Sequence, residues 1–243
     1  MSEQTLLAAQ GVVKRFGANT VLAGVDFTVR SGEAVGIVGP NGAGKTTLLA
    51  ALSGSVNVSA GTISLRGQDI SMLDAARRCR LGIARSHQVP RPFGGLTVFE
   101  NVLTAAQQGG GFRREEAYDR SIDAIELCGM MSVANRRAEA LGLLDRKRLE
   151  LTRALATNPE LLLLDEIGGG LTDGEAIELV GTIRTLRQRN ITIVWIEHIV
   201  HLLVQVVERL VCMDAGRVIA DGPPNAVLSD AAVVSAYLGG HPA

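Results

Sequence analysis

Nine residues, Gly39-Pro-Asn-Gly-Ala-Gly44-Lys45-Thr46-Thr47, constrain this chain more than any other feature. They match G-x-x-x-x-G-K-[ST] at every fixed position. The glycines let the backbone turn so that successive N–H groups converge on one point, and the start of a following helix adds more donors and a positive dipole end. Such a concavity suits phosphate oxygens. It also dictates its surroundings, because the loop must leave a buried strand and enter a helix; Ala34 to Val38 and Lys45 to Leu52 read as those elements. The candidate phosphate-binding residues are therefore Gly39, Asn41, Gly42, Ala43, Gly44, Lys45, Thr46 and Thr47. Lys45 would neutralise charge on the outer phosphates and Thr46 would hold Mg²⁺. Only three of the 24 Lys and Arg residues are lysine (Lys14, Lys45, Lys147), so a lysine at this motif position carries weight.

Composition excludes several other uses of such a loop. With 24 Lys+Arg against 25 Asp+Glu the formal charge is −1, which supplies no long-range field for nucleic acid. Hydrophobic residues make up 47%, but polar residues or glycines interrupt every apolar stretch well short of the ~20 residues a membrane helix needs. The three cysteines (Cys79, Cys128, Cys212) have no CxxC spacing, predicting reduced core thiols rather than a disulfide framework or thiolate metal site. Residues 1–10 lack the basic and long apolar regions of a secretory leader, so none is expected.

Short apolar runs predict strands at Gly11 to Phe16, Val21 to Val29, Ala34 to Val38 and Thr62 to Leu65. From Arg66 to Thr157 the chain holds 15 Lys+Arg and 11 Asp+Glu, and its apolar residues recur at helical spacing. Helices are expected there at Val98 to Ala106, Glu115 to Cys128 and Lys147 to Ala156, broken by the flexible Gln107 to Gly111. Strands and helices then alternate: strand Leu161 to Asp165, helix Glu175 to Arg189, strand Thr192 to Ile196, helix Ile199 to Val207, strands Leu210 to Met213 and Arg217 to Ala220, and a helical tail. This order predicts an α/β fold with a parallel sheet covered on both faces. The expected division is one domain, with a core of residues 1–87 and 158–243 and a helical subdomain of approximately 88–157.

A phosphate loop needs an acidic partner, and Leu161-Leu-Leu-Leu-Asp165-Glu166 places two carboxylates at a strand's carboxyl end, where α/β ligands bind. Asp165 suits Mg²⁺ and its water shell. Glu166 is then free to polarise an attacking water, since phosphoryl transfer asks mainly for positioning and charge. A P-loop GTPase would also use such a pair, and Asp165-Glu-Ile-Gly168 spells DxxG, but no NKxD occurs to read guanine.

With both halves in place the chain resembles the ATP-binding cassette (ABC) family over nearly its whole length. The resemblance implies a RecA-like P-loop core with N-terminal antiparallel strands and a helical subdomain insertion. It implies that Gln88, in Ile83-Ala-Arg-Ser-His-Gln88, touches Mg²⁺ and the transferred phosphate. It gives His198, in Ile193-Val-Trp-Ile-Glu-His198, a catalytic part, with His201 as a rival, and makes Phe16 a stacking surface for adenine. ATP and Mg²⁺ are the implied ligands. One segment departs from the family pattern: where Leu-Ser-Gly-Gly-Gln is usual, this chain reads Leu141-Gly-Leu-Leu-Asp145. In the family that segment reaches the γ-phosphate held by the other subunit of a head-to-tail dimer. Here the hydroxyl and second glycine are lost and Asp145 adds negative charge unless it caps the helix. The family's proline after the acidic pair is Ile167, and the dimer-contact loop usually ending in Asp is Gly168 to Thr172.

Finer details resemble the ATPases of branched-chain amino-acid importers: Leu96-Thr-Val-Phe-Glu-Asn-Val102, Arg148-Leu-Glu-Leu-Thr-Arg-Ala-Leu155, Ile196-Glu-His198 and the closing Ala236-Tyr-Leu-Gly239. That resemblance implies a second ABC ATPase subunit, a heterodimer being favoured over a homodimer. It also implies two integral membrane permease subunits, a periplasmic or extracellular solute-binding protein, and a peripheral place on the cytoplasmic face of the inner membrane. Gln88 to Phe99, with Pro90-Arg-Pro92-Phe93, is the expected surface for a membrane subunit's coupling helix. The alternatives are a soluble non-transport ABC ATPase, or a catalytically weak regulatory cassette, which the altered Leu141 to Asp145 permits.

Overall fold

The computed structural model describes residues 4–238, and its strands divide between two sheets. The first is antiparallel, with order β2-β1-β4-β5, built from β1 (Thr5–Phe16), β2 (Asn19–Arg30), β4 (Ala60–Leu65) and β5 (Gln68–Asp69). The second has order β10-β9-β3-β8-β7-β6, from β3 (Ala34–Val38), β6 (Ile83–Arg85), β7 (Leu161–Asp165), β8 (Thr192–Ile196), β9 (Arg209–Asp214) and β10 (Arg217–Gly222). Its pairings are parallel except for the antiparallel edge pair β9–β10.

The central strands β3, β7 and β8 are buried at every position, as a sheet covered on both faces requires. Their side chains alternate between two cores. Val35, Ile37, Leu161, Leu163, Val194 and Ile196 face the antiparallel sheet and the helix α1 (Lys45–Leu52). Val38, Leu162, Leu164, Ile193 and Trp195 face the opposite way, toward the core of the remaining helices. Those are α2 (Ala75–Arg80), α3 (Val98–Gln108), α4 (Arg114–Leu127), α5 (Leu143–Ala156), α6 (Asp173–Gln188), α7 (Val200–Leu203), α8 (Pro224–Leu228) and α9 (Ala231–Leu238), with α2 lying at the margin beside α1. A fully buried leucine or isoleucine contributes roughly 1.5–3 kcal/mol, so this two-sided burial anchors the strands that carry the site.

Several boundaries differ from the sequence expectation. Strand β1 does not begin at Gly11 but runs through it: Gly11 has φ 56 and its N–H donates to Asp26 at 2.7 Å, making a bulge between two paired stretches. The segment after Arg66 is not wholly helical, since it first forms β5, α2 and the core strand β6. Helix α2 is started by Asp74, which accepts the Arg77 N–H at 2.8 Å, and is locked by buried Arg78. That guanidinium donates to the carbonyls of Ala51, Leu52, Ser71 and Leu73, tying α2 to the end of α1. Helix α7 is shorter than Ile199 to Val207, because Gln205 and Val206 bond three residues back and tighten the chain toward β9. The three thiols are free, and burial pushes those of Cys128 and Cys212 up to about 11. Among the described residues no helix is long and apolar enough to cross a membrane.

Candidate functional site

The register of the parallel sheet assembles the site. Ile196 of β8 lies beside Ile37 of β3 on one side and Asp165 of β7 on the other, so the loops leaving all three strands emerge in one row. The first is the Gly39 to Thr47 loop. Gly39 has φ 143, and a Cβ there would lie 2.0 Å from the Met213 carbonyl oxygen, so only glycine fits. Gly44 has φ 98, with Val21 O 2.9 Å from where its Cβ would stand. Between them Asn41 and Gly42 are exposed while Ala43 is buried. Lys45 is buried and donates to the carbonyls of Gly39 at 2.7 Å and Pro40 at 2.9 Å. Burial lowers its pKa, and the nearby Glu166, Cys212 and Asp165 pull it back up. Thr46 and Thr47 open α1, and the Thr46 hydroxyl donates to Asp165 Oδ1 at 3.3 Å.

Asp165 is 1% exposed, and its second oxygen, Oδ2, accepts from Arg85 at 2.7 Å. Arg85 ends β6, whose pairing with β7 sets it beside Leu163, within reach of the carboxylate. Glu166 follows at φ 47, a left-handed conformation that turns its side chain out of the strand line, and its N–H donates to Ile196 O at 2.9 Å. Its two carboxylate oxygens are taken by side chains from two other loops: Oε1 lies 2.7 Å from His198 Nε2, and Oε2 accepts from the Gln88 amide. His198 rather than His201 meets Glu166, since His201 sits on the exposed side of α7. Gln88 thus reaches Glu166, and Thr46 reaches the adjacent Asp165.

A second layer lies behind these groups. Glu197, 2% exposed, accepts the Gly168 N–H at 3.0 Å and the His198 N–H at 3.2 Å. Burial raises its pKa, against the lowering by those two backbone donors. Buried Lys147 of α5 donates to the Glu166 carbonyl at 3.4 Å; desolvation lowers its pKa, opposed by Glu197 and Glu166. Arg85, Glu197 and Lys147 were given no role by the sequence. The available signal was an ionisable residue at or next to the end of a core strand, or inside an apolar helix stripe, where its charge needs a partner.

The remaining candidates sit further out. Phe16 ends β1, 51% exposed, with the Lys14 ammonium 4.7 Å from its ring centroid. Phe93 is 49% exposed beneath the Arg153 guanidinium, 5.2 Å away. At α5 the N-cap is Gly142, which has no side chain to offer; Asp145 lies in the first turn with its carboxylate 3.9 Å from Arg148, so it does not cap the helix. Leu143, half-exposed, projects toward the Gly168 to Thr172 loop, its Cδ2 3.3 Å from where a Cβ on Gly170 would stand.

The segment that supplies this phosphate cradle, the lysine drawn back against it and the aspartate–glutamate pair falls within a match to a known family model. The model described as ABC transporter matches residues 22–168. The chain belongs to the ABC transporter ATP-binding family. A second model, described as branched-chain amino acid ATP-binding cassette transporter, matches residues 217–243 of the same cassette. The cassette is 37% identical to LivG, a high-affinity branched-chain amino acid transport ATP-binding protein of Salmonella typhimurium, over 97% of this chain and 98% of that protein. It is 33% identical to LptB, the lipopolysaccharide export system ATP-binding protein of Haemophilus influenzae, at 97% and 98% coverage. Among solved structures it superposes on a nucleotide-free ATP-binding cassette from an ABC transporter with TM-score 0.88 and 29% identity, covering 96% of this chain and 98% of the other. It is therefore an ABC-type ATPase subunit with the fold expected from its sequence.

Proposed function

We propose that this cassette is one of two ATPase subunits that power import of branched-chain amino acids, or a related small solute, through partner membrane subunits. The cargo reading is supported by residues 217–243, which match the branched-chain family model, and by the near-full-length similarity to LivG. The match outside the shared nucleotide site favours this cargo over the export role named for LptB.

The observation that carries the chemistry is Glu166, held by His198 and Gln88 beside the Lys45 loop. In this reading a water oxygen attacks the γ-phosphorus of ATP, the bond to the bridging oxygen breaks, ADP leaves, and Glu166 takes the water's proton. His198 fixes the carboxylate through Oε1. Gln88 donates to Oε2, which keeps a second lone pair to accept the water's proton. Loop N–H groups from Asn41 to Thr47 and the Lys45 ammonium bind the phosphates, and Phe16 offers its exposed ring to adenine. The donor set fits Mg²⁺: the Thr46 hydroxyl, the Asp165 carboxylate and the Gln88 amide are hard oxygens, few in number, as for an ion that shares phosphate oxygens and water. When bound, that ion would neutralise charge developing on the phosphates.

The core of residues 1–87 and 158–243 would then carry nucleotide, and the helical part near 88–157 would meet the membrane subunit through Gln88 to Phe99. The other subunit is a second, different cassette, and the pair lies on the cytoplasmic face of the membrane. A weak regulatory cassette is the second reading, favoured by the uncapped Gly142 and the Leu143 and Leu144 side chains at the start of α5. Gentle detergent purification of the tagged chain from its native cell tests the main reading. Two membrane subunits and a second cassette should co-purify; recovery with soluble partners alone would overturn it.

A further inference from the structure

The phosphate loop is held at its first residue by the far end of the chain. Gly39 N–H donates to the Tyr237 hydroxyl at 2.7 Å, across 198 positions. Gly39 is wedged against β9, 2.0 Å separating its absent Cβ from Met213 O, so its N–H has a fixed direction and a single partner to meet. Its carbonyl accepts from Lys45 Nζ at 2.7 Å. One residue is thus pinned on both sides, by the hydroxyl of α9 at its nitrogen and by the catalytic-loop ammonium at its oxygen.

Helix α9 is itself fixed in place. Asp230 accepts the N–H groups of Ala232 at 2.8 Å and Val233 at 3.4 Å, and Val233 is buried in the same core as Val227 and Cys212. Burial and the neighbouring Cys212 raise the Tyr237 pKa, against the lowering by the Gly39 N–H, which keeps a neutral hydroxyl at physiological pH. The Tyr237 ring is 47% exposed, so its hydroxyl rather than its apolar burial is the part engaged in the loop.

We propose that Tyr237 is a positioning residue for nucleotide binding: its hydroxyl sets the Gly39 peptide and, through the Gly39 carbonyl, the resting place of Lys45. The C-terminal helix is thereby part of the ATP site. This deepens the nucleotide reading of the loop and rests on it. Tyr237→Phe removes the hydroxyl alone, and Tyr237→Ala removes the ring as well. Equilibrium binding of ATP, steady-state kinetics, thermal melting without nucleotide and amide exchange over residues 38–45 are compared with the unaltered chain.

The Phe variant should bind ATP about 3- to 10-fold more weakly, the factor expected for one hydrogen bond. Its KM should rise with little change in kcat, its melting temperature should move by less than about 2 °C, and the Gly39 amide should exchange faster. Wild-type affinity and unchanged Gly39 exchange in Tyr237→Phe would overturn the proposal. So would a loss confined to Tyr237→Ala with a matching fall in melting temperature, because packing alone would then explain it. If the unaltered chain bound no ATP, the nucleotide reading itself would fail, and the proposal with it.

Discussion

Asp165 shows what a single residue demands of its neighbours. A carboxylate that is 1% exposed cannot stay charged without compensation, and the compensation is Arg85, 2.7 Å away, with the Thr46 hydroxyl on the other oxygen. Replacing Arg85 by Met leaves that charge buried and unpaired, so Arg85→Met should lower the unfolding free energy by about 3 kcal/mol in urea titration. Arg85→Lys should recover part of it, since an ammonium restores charge but not the guanidinium's reach. A Met variant as stable as the unaltered chain would show that the pair contributes nothing net. The sequence made Glu166, Gln88 and His198 readable because their order along the chain is itself a pattern. Arg85 lies within Ile83 to Gln88, but no local pattern marks it, because its partner lies 80 positions away and is set by the β6–β7 register. Glu197 was hidden similarly: its two acceptor bonds go to backbone N–H groups, which no side-chain pattern advertises.

Elements were legible where local chemistry and burial agreed. Helices α1, α3, α4 and α6 and strands β3, β7 and β8 lie within a few residues of expectation because each has a buried stripe or run, whereas α5 starts at Leu143 rather than Lys147, its Gly142 start carrying no capping side chain. Helix α7 and the β5–α2–β6 stretch were not, because tertiary packing ends the first and a two-residue strand carries almost no periodic signal. Helix α6, like α3, opens on a capping box. Thr172 accepts the Glu175 N–H, and Glu175 accepts both the N–H and hydroxyl of Thr172 at 2.9 and 2.8 Å, a reciprocal capping box. Thr172→Ala should destabilise the chain by about 1 kcal/mol. The Thr172 N–H and then its hydroxyl hold the Glu175 carboxyl below its ordinary 4.5. A carboxyl with a lowered folded pKa binds fewer protons when folded, so its contribution is present above 4.5 and lost as pH falls through the folded value. Glu175→Gln should therefore be less stable than the unaltered chain at pH 7, and the gap should close as pH falls below 4.5 in melting experiments. A gap that stays constant with pH would contradict this. The cap also terminates the Gly168 to Thr172 loop, whose glycine at 168 leaves room for Glu197: a Cβ there would stand 3.1 Å from its Oε2.

At the scale of the whole molecule, the side chains proposed for hydrolysis and an α5 start that departs from the family pattern occupy one chain. Lys45, Asp165, Glu166, Gln88 and His198 converge, whereas α5 begins at Gly142 with no capping side chain and with Leu143 half-exposed beside Gly170. In the proposed head-to-tail pair each nucleotide would meet one chain's loop and the other chain's α5 start. Two copies of this chain would place Leu143 and Leu144 against both nucleotides, with the Asp145 carboxylate repelling phosphate in the first helical turn. A different partner bearing a serine and glycines at that position would repair one site only, the one that uses this chain's Lys45 and Glu166. Hydrolysis by such a pair should therefore depend unequally on its two catalytic glutamates. Glu166→Gln should remove most of the steady-state ATPase rate of the assembled transporter, by at least about 10²-fold for loss of a general base. The matching change in the partner should cost only a few-fold. Equal losses from the two substitutions would mean that the Leu141 to Asp145 segment binds phosphate through its backbone N–H groups alone, and that the lost hydroxyl was dispensable.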